Sequence, residues 1–415
     1  MAETSQQSSL RSYALVTAAY WGFTITDGAL RMLVLLYFHT LGYTTIEIAL
    51  LFLFYEFFGV LTNLLGGWLG ARFGVKLTLY SGISLQIISL LMLMPIDSNW
   101  PQWLGVSYVM AAQALSGIAK DLTKMSAKSA VRLVIPQNAQ SALFKWVAIL
   151  TGSKNALKGV GFFLGGLLLA TVGFVAGLAI MAAGLALVLC TSVWLPSGLG
   201  RVKAKVKFKQ LLSKSPAINR LSAARFFLFG ARDVWFVVAL PVFLSATLGW
   251  SFEQVGGFLA LWVIGYGVVQ AIAPAFLTRF SQQESPEPRT IQIWSAALIA
   301  CPAAIAIALH LQVSPAIAIV SGLVLFGIVF AVNSAVHSYL VLAYTVDSDV
   351  SLNVGFYYMA NAGGRLVGTV LSGVGFQVLG LVGCLWMSAG LVAIATVMSF
   401  ALPPIRVPKR QILVH

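Results

Sequence analysis

Seven of the 26 Lys and Arg residues of this 415-residue chain lie inside long apolar runs: Arg31, Lys120, Lys154, Lys158, Arg225, Arg232 and Arg365. A cation near the centre of a bilayer costs roughly 2.5–3.5 kcal/mol on insertion scales, so seven of them facing lipid would cost on the order of 20 kcal/mol. They must instead face a wet interior cavity, and a cationic cavity between membrane helices is built to hold anions. Four acids share these runs, Asp27, Glu56, Asp121 and Asp233. Internal pairing therefore leaves about three positive charges for a solute with two or more negative ones. Guanidinium groups fork onto tetrahedral oxyanions in bidentate fashion, which suits Arg31 and Arg232 to phosphate-like groups.

Spacing refines these candidates. Asp27 and Arg31 are four apart and share a helical face, either as an ion pair or with Arg31 on solute and Asp27 tuning it or carrying a proton. Arg232 and Asp233 repeat the juxtaposition, with Arg225 two turns earlier. Lys120, Lys124 and Lys128 form a stripe from cavity to cytoplasm; for Lys128 a surface anchor is the plainer reading. Lys154 and Lys158 have no acid nearby in sequence. Asn333, His337 and Tyr344 share one face, with Ser334 and Ser338 beside them, and His337 is either a satisfied core residue or a solute contact. Glu56, with Asn63 two turns on, is a candidate proton carrier alongside Asp27 and Asp233. The glycines after Lys158 lack the strand–turn–helix setting of a phosphate loop and read as helix-packing residues. Cys190, Cys301 and Cys384 are isolated, and four scattered histidines make no metal-binding spacing. Neither metal, cofactor nor enzymatic chemistry is expected.

The elements that must position these groups are membrane helices. The chain is 59% hydrophobic and 9% charged, with mean hydropathy +0.90, against about 25% charged for soluble proteins. The fold class is an all-α membrane protein. Apolar runs of about twenty residues fall at roughly 14–38, 46–70, 77–95, 103–125, 143–169, 174–195, 218–245, 252–277, 291–311, 315–345, 353–378 and 381–402, which makes twelve spans. Loops after odd-numbered spans contain no Lys or Arg, whereas the opposite side carries Arg72, Lys76, Lys128, Arg132, Arg279, Arg289 and the tail Arg406, Lys409 and Arg410. Both termini are therefore expected in the cytoplasm, and the same rule explains the net charge of +14 without nucleic acid. The loop after span 10, with Asp347 and Asp349, is the exception. Residues 1–11 lack the marks of a cleaved signal peptide.

A basic linker, 196–216, divides the chain into halves 1–195 and 217–415. The halves resemble each other. Asp27, Leu41-Gly42-Tyr43 and Glu47 recur as Asp233, Leu248-Gly249-Trp250 and Glu253; Asn155-Ala156 and Lys158 recur as Asn361-Ala362 and Arg365. Every offset is 206 or 207. A parallel repeat of six spans predicts two pseudo-symmetric six-helix bundles with a midplane site between them.

The stretch Gly67-Trp68-Leu69-Gly70-Ala71-Arg72-Phe73-Gly74-Val75-Lys76 resembles the cytoplasmic motif of the major facilitator superfamily, with Gly67, Arg72, Gly74 and Lys76 as gating residues. It departs at Ala71, usually Asp, and at Val75, often Arg, which puts the usual gating charge relay in doubt. Within that superfamily, Tyr20-Trp21-Gly22-Phe23-Thr24-Ile25-Thr26-Asp27-Gly28-Ala29-Leu30-Arg31, Phe52 to Gly59, Lys124 to Ala130 and Thr151 to Gly159 resemble the ArsJ family of organoarsenical efflux permeases. That resemblance implies export of 1-arseno-3-phosphoglycerate across a bacterial inner membrane, conferring arsenate resistance. It also implies a functional partner, glyceraldehyde-3-phosphate dehydrogenase, that supplies the solute. Coupling to inward proton movement (an antiporter) and a monomeric carrier are expected. Two cation clusters, Arg31 with Lys154 and Lys158 and Arg232 with Arg365, would suit the two oxyanions of such a solute. An organophosphate or other organic-anion exchanger is the alternative.

Overall fold

The computed structural model describes residues 2–97, 99–134, 140–192, 215–281, 286–344 and 350–404. Long apolar stretches with few breakers become helices, since a helix satisfies every backbone donor and acceptor without water. In order these are α1 (Ala2–Thr40), α2 (Thr45–Leu51), α3 (Leu53–Leu93), α4 (Gln102–Val134), α5 (Gln140–Thr171), α6 (Gly173–Thr191), α7 (Pro216–Phe236), α8 (Ala239–Val242), α9 (Phe252–Ser281), α10 (Pro288–His310), α11 (Pro315–Ala343) and α12 (Val350–Phe400). Thr44 and Glu47 close a reciprocal capping box at the start of α2.

Eight stretches of the described residues are long and apolar enough to cross a bilayer by length and composition. One of them, Asn353–Phe400, is 48 residues long, about 72 Å of helix and too much for one crossing. Its first part rises alongside α7: a Cβ on Gly364 would meet the Phe226 carbonyl, and the Ser372 hydroxyl accepts from the amides of Val238 and Ala239. Its second part runs the other way, with Ser388 on Ala231 and Ala401 on Arg220. The reversal sits at Gly380, whose φ of 65° and ψ of −170° favour a residue without Cβ. In α3 the same logic gives two spans. Tyr55, Gly59 and Asn63 climb α4 beside Gly117, Lys120 and Lys124, whereas Thr78, Gln86 and Ser89 descend it beside Ser126, Ser116 and Ala112. With α1, α4 and α5, whose buried charges lower their hydropathy, the described residues hold twelve spans.

Span 7 is not the single continuous helix its composition suggests. It breaks at Val237–Val238, just past Arg232 and Asp233, passes through α8 and ends in a π-helical turn over Phe243–Thr247. Ser372 satisfies the two amides at the break.

The first six spans meet the last six along two antiparallel seams. In one, α5 packs on α9 from Gly152 beside Gly267 to Gly166 beside Phe252. In the other, α2 and the first part of α3 pack on α12, from Thr45 beside Gly373 to Asn63 beside Gly355. Large apolar side chains such as Leu187, Leu261 and Val378 are exposed on the outer surface, as lipid-facing residues are. The linker residues 196–214 and the acidic loop at Asp347 and Asp349 lie outside the described residues, as do the basic tail and the side chains of Gly67, Arg72, Gly74, Lys128 and Arg132. Lys76 is described, with Nζ 6.0 Å above the Tyr80 ring.

Candidate functional site

A cavity of about 150 Å³ lies between the two seams. Its wall includes Arg31, Lys120, Lys124, Lys154, Lys158, Arg225, Arg232 and Arg365, with Asp27 and Asp121 among them. A buried water needs about 10–15 Å³ of such space, so the cavity has room for a solute of roughly a dozen non-hydrogen atoms.

Each acid holds at least one cation, and Asp27, Glu56 and Asp233 reach cations on other helices. Asp27 on α1 accepts from Tyr55 Oη at 2.6 Å through one oxygen and from Lys158 Nζ of α5 at 3.1 Å through the other. Asp233 on α7 accepts from Arg365 Nε of α12 at 2.9 Å and from its neighbour Arg232 at 2.6 Å. These are one arrangement made twice. The offsets 27 to 233 and 158 to 365 are those of the sequence repeat, so the first helix of each half offers an acid to a cation on the fifth. Asp121 takes Lys124 Nζ at 2.6 Å, which also donates to Asn63 at 2.5 Å.

Glu56 is fully buried. Its Oε1 accepts from Arg31 Nη2 at 3.0 Å and from Arg365 Nη2 at 2.6 Å, and Lys120 Nζ stands 3.9 Å from Oε2. A continuous band results: Arg31, Glu56, Arg365, Asp233, Arg232. The expectation of two separated clusters is thereby corrected, because one carboxylate bridges them. Nor do Asp27 and Arg31 pair. They share a face of α1, but neighbouring helices supply each with another partner.

Arg225 differs from the rest. Among the described residues it forms no ion pair; it donates to the Ser334 hydroxyl at 3.0 Å, and its guanidinium stands 3.9 Å from the Phe229 ring centre. Lys154 aside, the cavity and the residues bonded to its cations thus contain seven cations against Asp27, Glu56, Asp121 and Asp233, a surplus of three among the described residues. Lys124 is a cation that the sequence count leaves out, and it joins because it turns inward. Removing charges from water costs several kcal/mol each even when paired, so this surplus persists only if solvent or a bound anion compensates it.

Aromatic rings are interleaved with these cations. Phe229, Phe236, Trp262 and Tyr266 line the cavity, with Trp262 and Tyr266 stacked at 6.0 Å and Arg232 standing 4.8 Å from the Phe229 ring centre. At the repeat offset of 206, Glu56 maps onto Trp262, Lys120 onto Phe326 and Lys124 onto Phe330. At these three positions the second half has rings where the first has charges.

Asn333 and His337 do not line the cavity. Asn333 donates to Ser295 of α10 at 2.7 Å, and His337 is fully buried. The face of α11 turned to the site is the adjacent one: Ser338 lines the cavity, and Ser334 supports Arg225 and bonds with Tyr266 and Gln270. Residues not singled out from sequence include Tyr20, Tyr358, Gln270, Asn155 and Asn361. Asn155 donates to Gln270 at 2.8 Å across the α5–α9 seam. Asn155 and Asn361 carried a signal, since they are repeat mates one turn before Lys158 and Arg365. None of the three cysteines lines the cavity, and among the described residues no group of His, Cys, Asp or Glu is placed to hold a metal ion. The donor set suits oxyanions.

A family model described as Major Facilitator Superfamily matches residues 15–331. No curated protein matches the chain.

Proposed function

The chain belongs to the Major Facilitator Superfamily, a family of membrane transporters, and from that premise we propose that it carries a small organic anion with two or more negative charges. The observation that carries this reading is the surplus of three cations, Lys154 aside, among the described residues of a cavity between two seams. Alternating access follows from rocking one half against the other about that cavity. Arg31, Lys120, Lys154, Lys158, Arg225, Arg232 and Arg365 hold the anion, and Asp27, Glu56 and Asp233 set their spacing and are the candidates for proton coupling.

The finer reading rests on the resemblance of the helices around Asp27, Glu56 and Lys158 to organoarsenical efflux permeases. On that basis the solute is 1-arseno-3-phosphoglycerate, made by a glyceraldehyde-3-phosphate dehydrogenase acting on arsenate and exported across the inner membrane. The cavity supports it in charge. Pentavalent oxyanions need hydrogen-bond donors, which the wall supplies, rather than thiols.

The continuous charge band favours a second reading. A solute with its charge gathered at one end, such as an organophosphate, also matches a single band of cations. Everted membrane vesicles separate the two. Uptake of the arsenical, dependent on dehydrogenase, arsenate and substrate together, supports the first. Counterflow of glycerol 3-phosphate or 3-phosphoglycerate with no arsenic uptake supports the second, and transport of neither defeats both.

A further inference from the structure

Three of the four cavity acids have local duties. Asp27 and Asp233 are repeat mates, each holding the cation of its own half, and Asp121 holds Lys124 on its own helix. Glu56 stands apart. Its repeat position is Trp262, so the second half has no acid at the matching place, and among the described residues it alone ties a cation of the first half, Arg31, to one of the second, Arg365. Both guanidinium groups converge on a single oxygen, Oε1, in the manner of donors around a solute oxyanion. The other oxygen, Oε2, has no hydrogen-bond partner among the described residues and faces Lys120 at 3.9 Å.

A carrier must pass through a closed state both with its solute and without it. Loaded, the solute's negative charge compensates Arg31 and Arg365. Empty, those two cations would be trapped together in a low-dielectric interior, where like charges repel strongly and unpaired charges are costly. Resting on the reading of the cavity as an anion site, we infer that Glu56 is an internal counter-ion: its carboxylate takes, in the empty carrier, the place between Arg31 and Arg365 that an anionic group of the solute takes in the loaded one. On solute entry the carboxylate yields both guanidinium groups and keeps Lys120. Glu56 is thus the residue that permits net transport, by letting the carrier return empty. Without it the chain becomes an exchanger that can turn over only when loaded on both sides.

The test uses the full chain in proteoliposomes with labelled 3-phosphoglycerate, measuring net efflux and solute–solute exchange side by side. For Glu56→Gln, net efflux is expected to fall at least about tenfold while exchange keeps a large fraction of its rate, because only the empty closed state has lost its compensating charge. Glu56→Asp retains the charge on a shorter arm and is expected to fall between, which keeps the test decisive if the Gln variant does not fold. A parallel loss of net efflux and exchange in well-folded variants, or net efflux undiminished in Glu56→Gln, overturns the inference and leaves the anion-transport reading standing. A wild-type chain that neither exchanges nor releases 3-phosphoglycerate or the arsenical overturns both.

Discussion

Removing one member of a buried ion pair strands the other, so paired and unpaired cations in this cavity must answer differently to substitution. Asp27→Asn leaves Lys158 without its carboxylate, and an uncompensated buried charge of this kind costs about 3 kcal/mol or more. The purified variant is expected to melt several degrees lower, with partial recovery in the double variant Asp27→Asn, Lys158→Met. Arg225 has no ion pair among the described residues to lose. Arg225→Met is expected to leave the melting temperature close to wild type while weakening apparent solute affinity at least about tenfold, as loss of a charge-assisted contact does. Thermal unfolding and concentration-dependent transport on the same preparations check both. Residue type inside apolar runs was enough to find seven of the eight cations that line the cavity, Lys124 being the one left out. Their partners were not legible. Asp27 and Arg31 share a helical face, yet Asp27 turns to Lys158 and Arg31 to Glu56, because helices distant in sequence bring a better-placed partner to each.

At the scale of helices, the repeated acid–cation pair depends on close approach of the first and fifth helices in each half. A Cβ on Gly161 would meet the Ile25 carbonyl and Gly28, and one on its repeat mate Gly368 would lie 2.7 Å from the Gly230 carbonyl and 2.9 Å from Asp233 Cβ. Small residues at such crossings let backbones touch. Gly161→Val and Gly368→Val are expected to wedge the helices apart, pulling Lys158 from Asp27 and Arg365 from Asp233. Each should abolish transport and lower stability by roughly 1–3 kcal/mol, the usual cost of overpacking; Val at the open Gly184 serves as the control. Without saying which helices touch, the constant offset of 206 or 207 made the doubling of the halves readable in the sequence. The break after Asp233 was not, since Val237 and Val238 look like any other apolar pair and only the Ser372 hydroxyl, 134 residues away, accommodates the freed amide. On α11 the spacing grouped Asn333 with His337 correctly but could not say which face turns inward on a helix apolar all round.

For the whole molecule, the surplus of cavity cations among the described residues bears on what drives transport. A solute bearing two negative charges crosses a membrane that is negative inside, and each charge moved through 100 mV contributes about 2.3 kcal/mol. A dianion leaving the cell thus gains roughly 4–5 kcal/mol, enough for an accumulation ratio on the order of a thousandfold, with no proton needed. The competing scheme, exchange against protons through Asp27, Glu56 or Asp233, draws on the pH gradient as well. Energised everted vesicles are positive and acidic inside, so the two forces can be removed singly. Collapse of the potential with valinomycin and potassium is expected to cut uptake at least about tenfold, while collapse of the pH gradient with nigericin leaves it within about twofold. Uptake halted by nigericin alone would instead assign the driving force to protons, and would shift attention from the surplus cations to the three carboxylates that hold them.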